Sequence, residues 1–193
     1  MAAIISVAVV AAALAQGLNW DSRQAQELAA KQSLRNANLP QSERAAIAAA
    51  IEEQLKGSVT ELHEAALDTR VLRIDLNRDG QQEIIAQPVG NYDCSPTGNC
   101  SFWVFQKSGT AYKLLLNGLG QTFTLQPNYT NGFQDIVVAM HGSAFDSTLK
   151  LYRYERGRYL RVARYDASWQ ATENPDRLLK APRITSCRPN CGC

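Results

Sequence analysis

Several chemistries are excluded by what this chain does not contain. There is no C-x-x-C-H, so covalent haem is not indicated. There is no G-x-S-x-G elbow of the kind that carries a hydrolase serine. Gly118-Leu119-Gly120 has neither the third glycine nor the following helix of a dinucleotide fingerprint. The three cysteines near the C-terminus have no histidine beside them, which argues against zinc. An excess of one charge is also missing: 20 Lys and Arg stand against 18 Asp and Glu, a net charge of +2. Nothing global therefore argues for nucleic acid or an acidic substrate.

A long apolar run is missing as well. The N-terminal stretch MAAIISVAVVAAALAQ is apolar but falls short of the ~20 residues a span needs. It ends in Ala13-Leu14-Ala15, an A-x-A cleavage pattern, so residues 1–15 read as a signal peptide. The positive n-region is reduced to the N-terminal amine, which leaves an uncleaved anchor or a different start as the alternatives. The expectation is an exported protein, secreted or periplasmic. Five cysteines would remain: Cys94, Cys100, Cys187, Cys191 and Cys193. In an oxidising compartment Cys94 and Cys100 can close the small loop Ser95-Pro96-Thr97-Gly98-Asn99, where Pro96 and Gly98 suit a tight turn. The C-terminal trio leaves an odd thiol. A local bond between Cys187 and Cys191 and a bond to another chain both stay open.

What is present is concentrated between Val71 and Gln87, VLRIDLNRDGQQEIIAQ. Asp75, Asn77 and Asp79 alternate, Gly80 follows and Glu83 closes the set. Calcium takes six to eight oxygens at roughly 2.3–2.6 Å. Carboxylates and an amide at every second position can curl around one such ion. Gly80 permits the sharp turn that aims the Gln81 carbonyl inward. A helical EF-hand needs a bidentate Glu at its twelfth position, which here is Ala86. The flanks Val71-Leu72-Arg73-Ile74 and Ile84-Ile85-Ala86 are short, apolar and rich in β-branched residues, so they read as strands. The expected geometry is strand, metal loop, strand. That pattern resembles the calcium loops of FG-GAP and VCBS-type repeats, as in integrin α-chain propellers, over residues 75–86. The resemblance implies Asp75, Asn77, Asp79, the Gln81 carbonyl and Glu83 as calcium ligands.

The remainder divides by periodicity. Residues 16–57 are Ala-, Gln- and Glu-rich and predict a helical hairpin. Its first helix spans about Ser22 to Asn36. The second is capped by Ser42, carries Ile47, Ile51 and Leu55 on one stripe, and stops at Lys56-Gly57. A short helical turn is expected between Ser58 and Arg70. From Val71 short β runs take over. Phe102–Phe105 and Ala111–Leu116 form a hairpin about Gly109, and Phe123–Leu125 adds a strand. An internal echo aligns Asp79–Ala86 with Asn131–Val138, and Phe102–Phe105 with Leu151–Tyr154, about 50 residues apart. In the second copy Pro127 and Tyr129 stand where Asp75 and Asn77 stood, so it lacks the first ligands. Two repeats cannot close a propeller. The expected fold is α+β: mainly β, residues 58–169 forming two short antiparallel repeats as a small sandwich or curved sheet. Residues 170–193 read as an irregular, Cys-containing tail.

Three further sets of residues carry recognisable chemistry. His141, Ser143 and Asp146 have the residue types of a hydrolase triad, against a polar turn at a strand end, which is preferred. Arg153, Tyr154, Arg158, Tyr159 and Arg161, with Lys150, Arg156 and Arg164, make either a basic aromatic face for an acidic partner or the wet side of a half-buried sheet. The wet side is preferred. Asn99-Cys100-Ser101 and Asn128-Tyr129-Thr130 match the glycosylation sequon. The functional expectation is an exported, non-enzymatic, calcium-stabilised β module for binding or assembly. The alternatives are a secreted inhibitor or receptor-like protein using the basic hairpin, and a hydrolase with a site near His141. A protein partner or extracellular assembly fits the first two, and no nucleic acid is expected.

Overall fold

The structure, a computed structural model, describes residues 18, 20, 32–90 and 92–186. The expected signal peptide, most of the first helix and Cys187, Cys191 and Cys193 lie outside the described residues. In chain order come β1 (Gln32–Ser33), a 3-10 turn (Leu34–Asn36), α1 (Gln41–Leu55), α2 (Leu62–Asp68), β2 (Arg70–Ile74) and β3 (Glu83–Gln87). β4 (Cys100–Ser108), β5 (Ala111–Gly120), β6 (Thr122–Thr130), β7 (Phe133–His141), β8 (Asp146–Glu155), β9 (Arg158–Gln170) and β10 (Leu178–Ser186) follow. The fold is mainly β, as expected. Two antiparallel five-stranded sheets are ordered β1-β2-β3-β4-β5 (sheet I) and β10-β9-β8-β7-β6 (sheet II).

Both faces of sheet I are covered, and the side chains of β4 alternate accordingly. Trp103 and Phe105 join Ile47, Ile51, Leu55, Ala65 and Ala66 in a core under α1 and α2. Phe102 and Val104 point the other way, into a second core shared with Phe123, Ile136, Val138 and Tyr152 of sheet II. This two-sided burial is why Phe102–Phe105 is apolar throughout instead of alternating. β3 is buried at all five positions for the same reason. The outer face of sheet II carries a third cluster, with Val137, Leu149, Leu151 and Tyr165, to which Leu18 and Trp20 add.

The chain passes from one sheet to the other at Gly120, where Gln121 N–H donates to the Ala139 carbonyl at 2.7 Å. A Cβ on Gly120 would stand 2.3 Å from Val138 Cγ1 and 2.7 Å from Ala139 O. The glycine is there because the two sheets touch at this point. The echo seen in the sequence corresponds to two four-stranded meanders, β2–β5 and β6–β9. Gly80 and Gly132 occupy matching left-handed positions, φ 83° and 86°.

Three local expectations are corrected. Helix α1 begins at Gln41 with Pro40, not Ser42, at its cap, and no side chain caps it. The Pro40 carbonyl accepts the Arg44 amide at 2.9 Å, and the Arg44 guanidinium ties back to the Ala37 and Leu39 carbonyls. Residues 32–36, expected as the end of the first helix, form β1 and the 3-10 turn, because Gln32 and Ser33 pair with Val71 and Arg70. The segment after Trp169 is not irregular throughout: Leu178–Ser186 adds an edge strand to β9. Pro182 lies inside the register shift between Leu178 and Arg183, where its missing N–H breaks no ladder bond. The stripe Ile47, Ile51, Leu55 is fully buried and Gly57 stops α1 at φ 83°, as expected.

Candidate metal centre

Residues 75–82 connect β2 to β3, and side-chain oxygens taking loop amides shape the connection. Asp75 accepts from Arg78 N–H at 2.6 Å through one oxygen and from Gly80 N–H at 3.0 Å through the other. Asn77 Oδ1 accepts from the Asp79 amide at 3.0 Å, and Asp79 Oδ1 from the Gln81 amide at 2.7 Å. Asn77 Nδ2 reaches Asp79 Oδ2 at 2.8 Å. Asp75, Asn77 and Asp79 are thus gathered around one turn. Arg78 takes a left-handed φ of 63°, uncommon for a non-glycine residue, and the Asp75 bond to its amide holds it there.

Glu83 sits differently. It opens β3, is 1% exposed, and its carboxylate accepts from Leu76 N–H at 2.8 Å and from Gln106 Nε2 at 3.2 Å. Burial pushes its pKa up, and the carboxylates of Asp79 and Asp75 push the same way. The two hydrogen bonds oppose that shift without cancelling it. Among the described residues, no three His, Cys, Asp or Glu side chains lie close enough together to hold a metal ion. None of Asp75, Asp79 and Glu83 has an ion-pair partner among them either. The nearby cation turns away: Arg78 lies over the Tyr129 ring, 4.1 Å from its centroid, and donates from Nε to the Tyr129 hydroxyl at 2.9 Å.

That contact ties the loop to sheet II. Gln134 N–H donates to the Leu76 carbonyl at 2.8 Å, and Leu76 is fully buried in the core between the sheets. Tyr129 stands at the echo position of Asn77, so the second copy replaces a ligand type with the platform that receives Arg78. Asp135, at the echo position of Glu83, is also buried, at 2% exposure. Arg153 donates to its Oδ2 at 3.1 Å, while Oδ1 is buried with no hydrogen-bond partner. The alignment Asp79–Ala86 to Asn131–Val138 already paired these two acids. The burial of both, and the Arg78–Tyr129 contact, could not be read from it.

The structure sorts the other candidates. In the basic hairpin, Tyr159 is 4% exposed and donates to the Gln134 carbonyl at 2.8 Å. Burial raises its pKa, and the Glu83 and Asp135 carboxylates add to the rise. Tyr154 stacks on Phe133 at 3.9 Å between centroids. Tyr159 belongs to the core between the sheets and Tyr154 packs against it, partly buried. Arg153 is committed to Asp135, and Arg158 and Arg161 are exposed. Around His141, the Ser143 hydroxyl donates to Asp146 Oδ2 at 2.9 Å. The hydrogen bonds of His141 among the described residues are made by its main chain. Asn99 Nδ2 donates to its carbonyl at 2.9 Å and its N–H donates to Asn99 Oδ1 at 2.8 Å. The serine therefore bonds the acid directly, and Asn99 clamps β7 to the segment before β4. Asn99 is 5% exposed, so its amide is spent inside the fold; Asn128 is exposed.

Cys94 and Cys100 are joined, their sulfurs 2.05 Å apart, and close the loop before β4. Among the described residues, no helix is long and apolar enough to cross a membrane. No protein family, no curated protein and no solved structure matches this chain.

Proposed function

We propose that the chain is an exported, calcium-stabilised β module for binding or structural assembly, with no catalysis of its own. One observation carries this reading: Asp75, Asn77 and Asp79 are wrapped around a single turn by loop amides, beside a buried Glu83 whose charge lacks a cation. The donor set is all oxygen, which suits a hard cation. Each oxygen that accepts one amide keeps a second lone pair. Asp75, Asn77, Asp79, the Gln81 carbonyl and Glu83 would hold the ion once the three carboxylates, which do not converge in the ion-free loop, close on it, and calcium would supply positive charge between them. Because the loop leans on Tyr129 and Gln134, holding it would also hold sheet I on sheet II. Binding energy then becomes folding energy. The Cys94–Cys100 bond supports an oxidising compartment, and so export. Thermal unfolding in calcium and in chelator tests the proposal. A melting temperature raised by calcium in the parent protein but not in Asp79→Ala supports it. Superimposable curves for the parent protein reject it.

A further inference from the structure

Sheet II carries a second charged feature, on the face it turns toward sheet I. On β8, Tyr152 belongs to the core between the sheets while Leu149 and Leu151 belong to the outer cluster. Strand alternation therefore puts Lys150 on the inner side with Tyr152. The register pairs Lys150 with Arg164 and Tyr152 with Arg161, and the neighbouring Ala163 and Tyr165 face outward. Lys150, Arg161 and Arg164 thus share one face. Arg161 is exposed there, and Lys150 and Arg164 are half-buried.

The three cations are poorly compensated. Like charges directly across a pair of strands are destabilising. Lys150 and Arg161 have no hydrogen bond or ion pair among the described residues. Arg164 has one carboxylate, Asp166, at 3.6 Å, itself more than half exposed, and its Nε is buried with no hydrogen-bond partner. Lys150 is half-buried, and both burial and the two guanidinium charges lower its pKa. A wet sheet face would normally interleave acids with such residues. Here one weakly engaged carboxylate leaves an excess of about two positive charges, and two of the three groups are guanidinium forks, which suit phosphate and sulfate oxygens.

We infer that Lys150, Arg161 and Arg164 form a binding site for a tetrahedral dianion, a phosphate or sulfate group, beside Tyr152 on the inner face of sheet II. This site is separate from the metal loop and does not depend on the calcium reading. The same group can arrive as a free ion or attached to a glycan.

The test uses the full chain and calorimetric titration with sodium phosphate and with sodium sulfate, against sodium chloride at equal ionic strength. Expected are one site for the dianions, none for chloride, and affinity about tenfold or more weaker in Arg161→Gln. Arg161 is exposed, so its removal leaves the core intact. Arg158→Gln, a change at an exposed arginine on the other side of β9, is expected to bind as the parent does. Sulfate stabilises many proteins by exclusion, so the site is read from saturable heat of binding and not from a melting shift. No saturable dianion binding, or equal binding in Arg161→Gln, overturns the inference. A sulfated disaccharide that binds more tightly than inorganic sulfate assigns a glycan-borne group, and equal affinities assign the free ion; either result requires the site.

Discussion

Replacing Gly120 with alanine probes the contact between the two sheets with a single methyl group. The backbone at Gly120 is not left-handed, so alanine brings no torsional strain there. In an ordinary strand the exchange would stabilise by about 0.5–1 kcal/mol, because glycine loses more freedom on folding. Here the new methyl would meet Val138 Cγ1 at 2.3 Å and the Ala139 carbonyl oxygen at 2.7 Å. Val138 is fully buried and the carbonyl is main chain, so neither can swing aside. The Gly120 carbonyl also accepts from Gln87 Nε2 at 2.7 Å, which ties the strand on its other side. Overpacking of this kind costs about 1–3 kcal/mol, more than the entropic gain returns. Gly118→Ala is the control in the same strand. Its methyl would meet nothing closer than the Tyr152 hydroxyl at 3.4 Å, an ordinary contact, so the gain of about 0.5–1 kcal/mol is expected there. Urea unfolding of both variants gives the comparison through the midpoint at constant slope. If Gly120→Ala is as stable as Gly118→Ala, the sheets do not meet as described.

Two further outcomes follow from buried polar groups. Asn99→Ala removes both bonds to the His141 main chain and should cost about 1–3 kcal/mol, read by the same urea assay; a neutral result would mean the clamp is not formed in solution. For Glu83 the folded protein holds its proton more tightly than the unfolded chain, because its folded pKa is raised. Stability of the metal-free protein is therefore fully present below the ordinary carboxylate pKa and is lost as pH rises through the raised value. Glu83→Gln keeps an acceptor for the Leu76 amide and removes that loss. In chelator it should raise the melting temperature at pH 7 and not at acid pH, whereas in calcium it should lower it. A variant less stable than the parent in chelator at pH 7 would contradict this.

Much of the fold was legible because the periodicities are clean. The stripe of Ile47, Ile51 and Leu55 marked α1, and the apolar run Phe102–Phe105 with Gly109 marked the β4–β5 hairpin. The echo of residues 79–86 in 131–138 anticipated two similar meanders. What escaped depends on tertiary partners. β10 reads as irregular because Ala181-Pro182 interrupts it, yet β9 offers an open edge and tolerates the break. Ser42 has the chemistry of a cap, but Pro40 and the Arg44 contacts fix the entry two residues earlier. Asp75, Asn77 and Asp79, which alternate in the sequence, share one turn through their bonds to loop amides. Spacing could not show that Glu83 turns inward to Leu76 and Gln106, nor that Tyr154 and Tyr159 leave the surface for the core. Alternation along β9 separates Tyr159 from Arg158, but it would also have put Arg164 on the face opposite Arg161, because the register shift between Leu151 and Tyr152 does not show in the sequence.

Calorimetric titration of calcium into the chelator-treated protein, at neutral pH and with Asp75→Ala alongside, bears most directly on the metal loop. One saturable site in the parent, absent from Asp75→Ala, is the result expected if the loop carboxylates close on calcium. No heat of binding at millimolar calcium in a folded parent protein would leave residues 75–83 as a hydrogen-bonded turn, and calcium stabilisation would have to be abandoned.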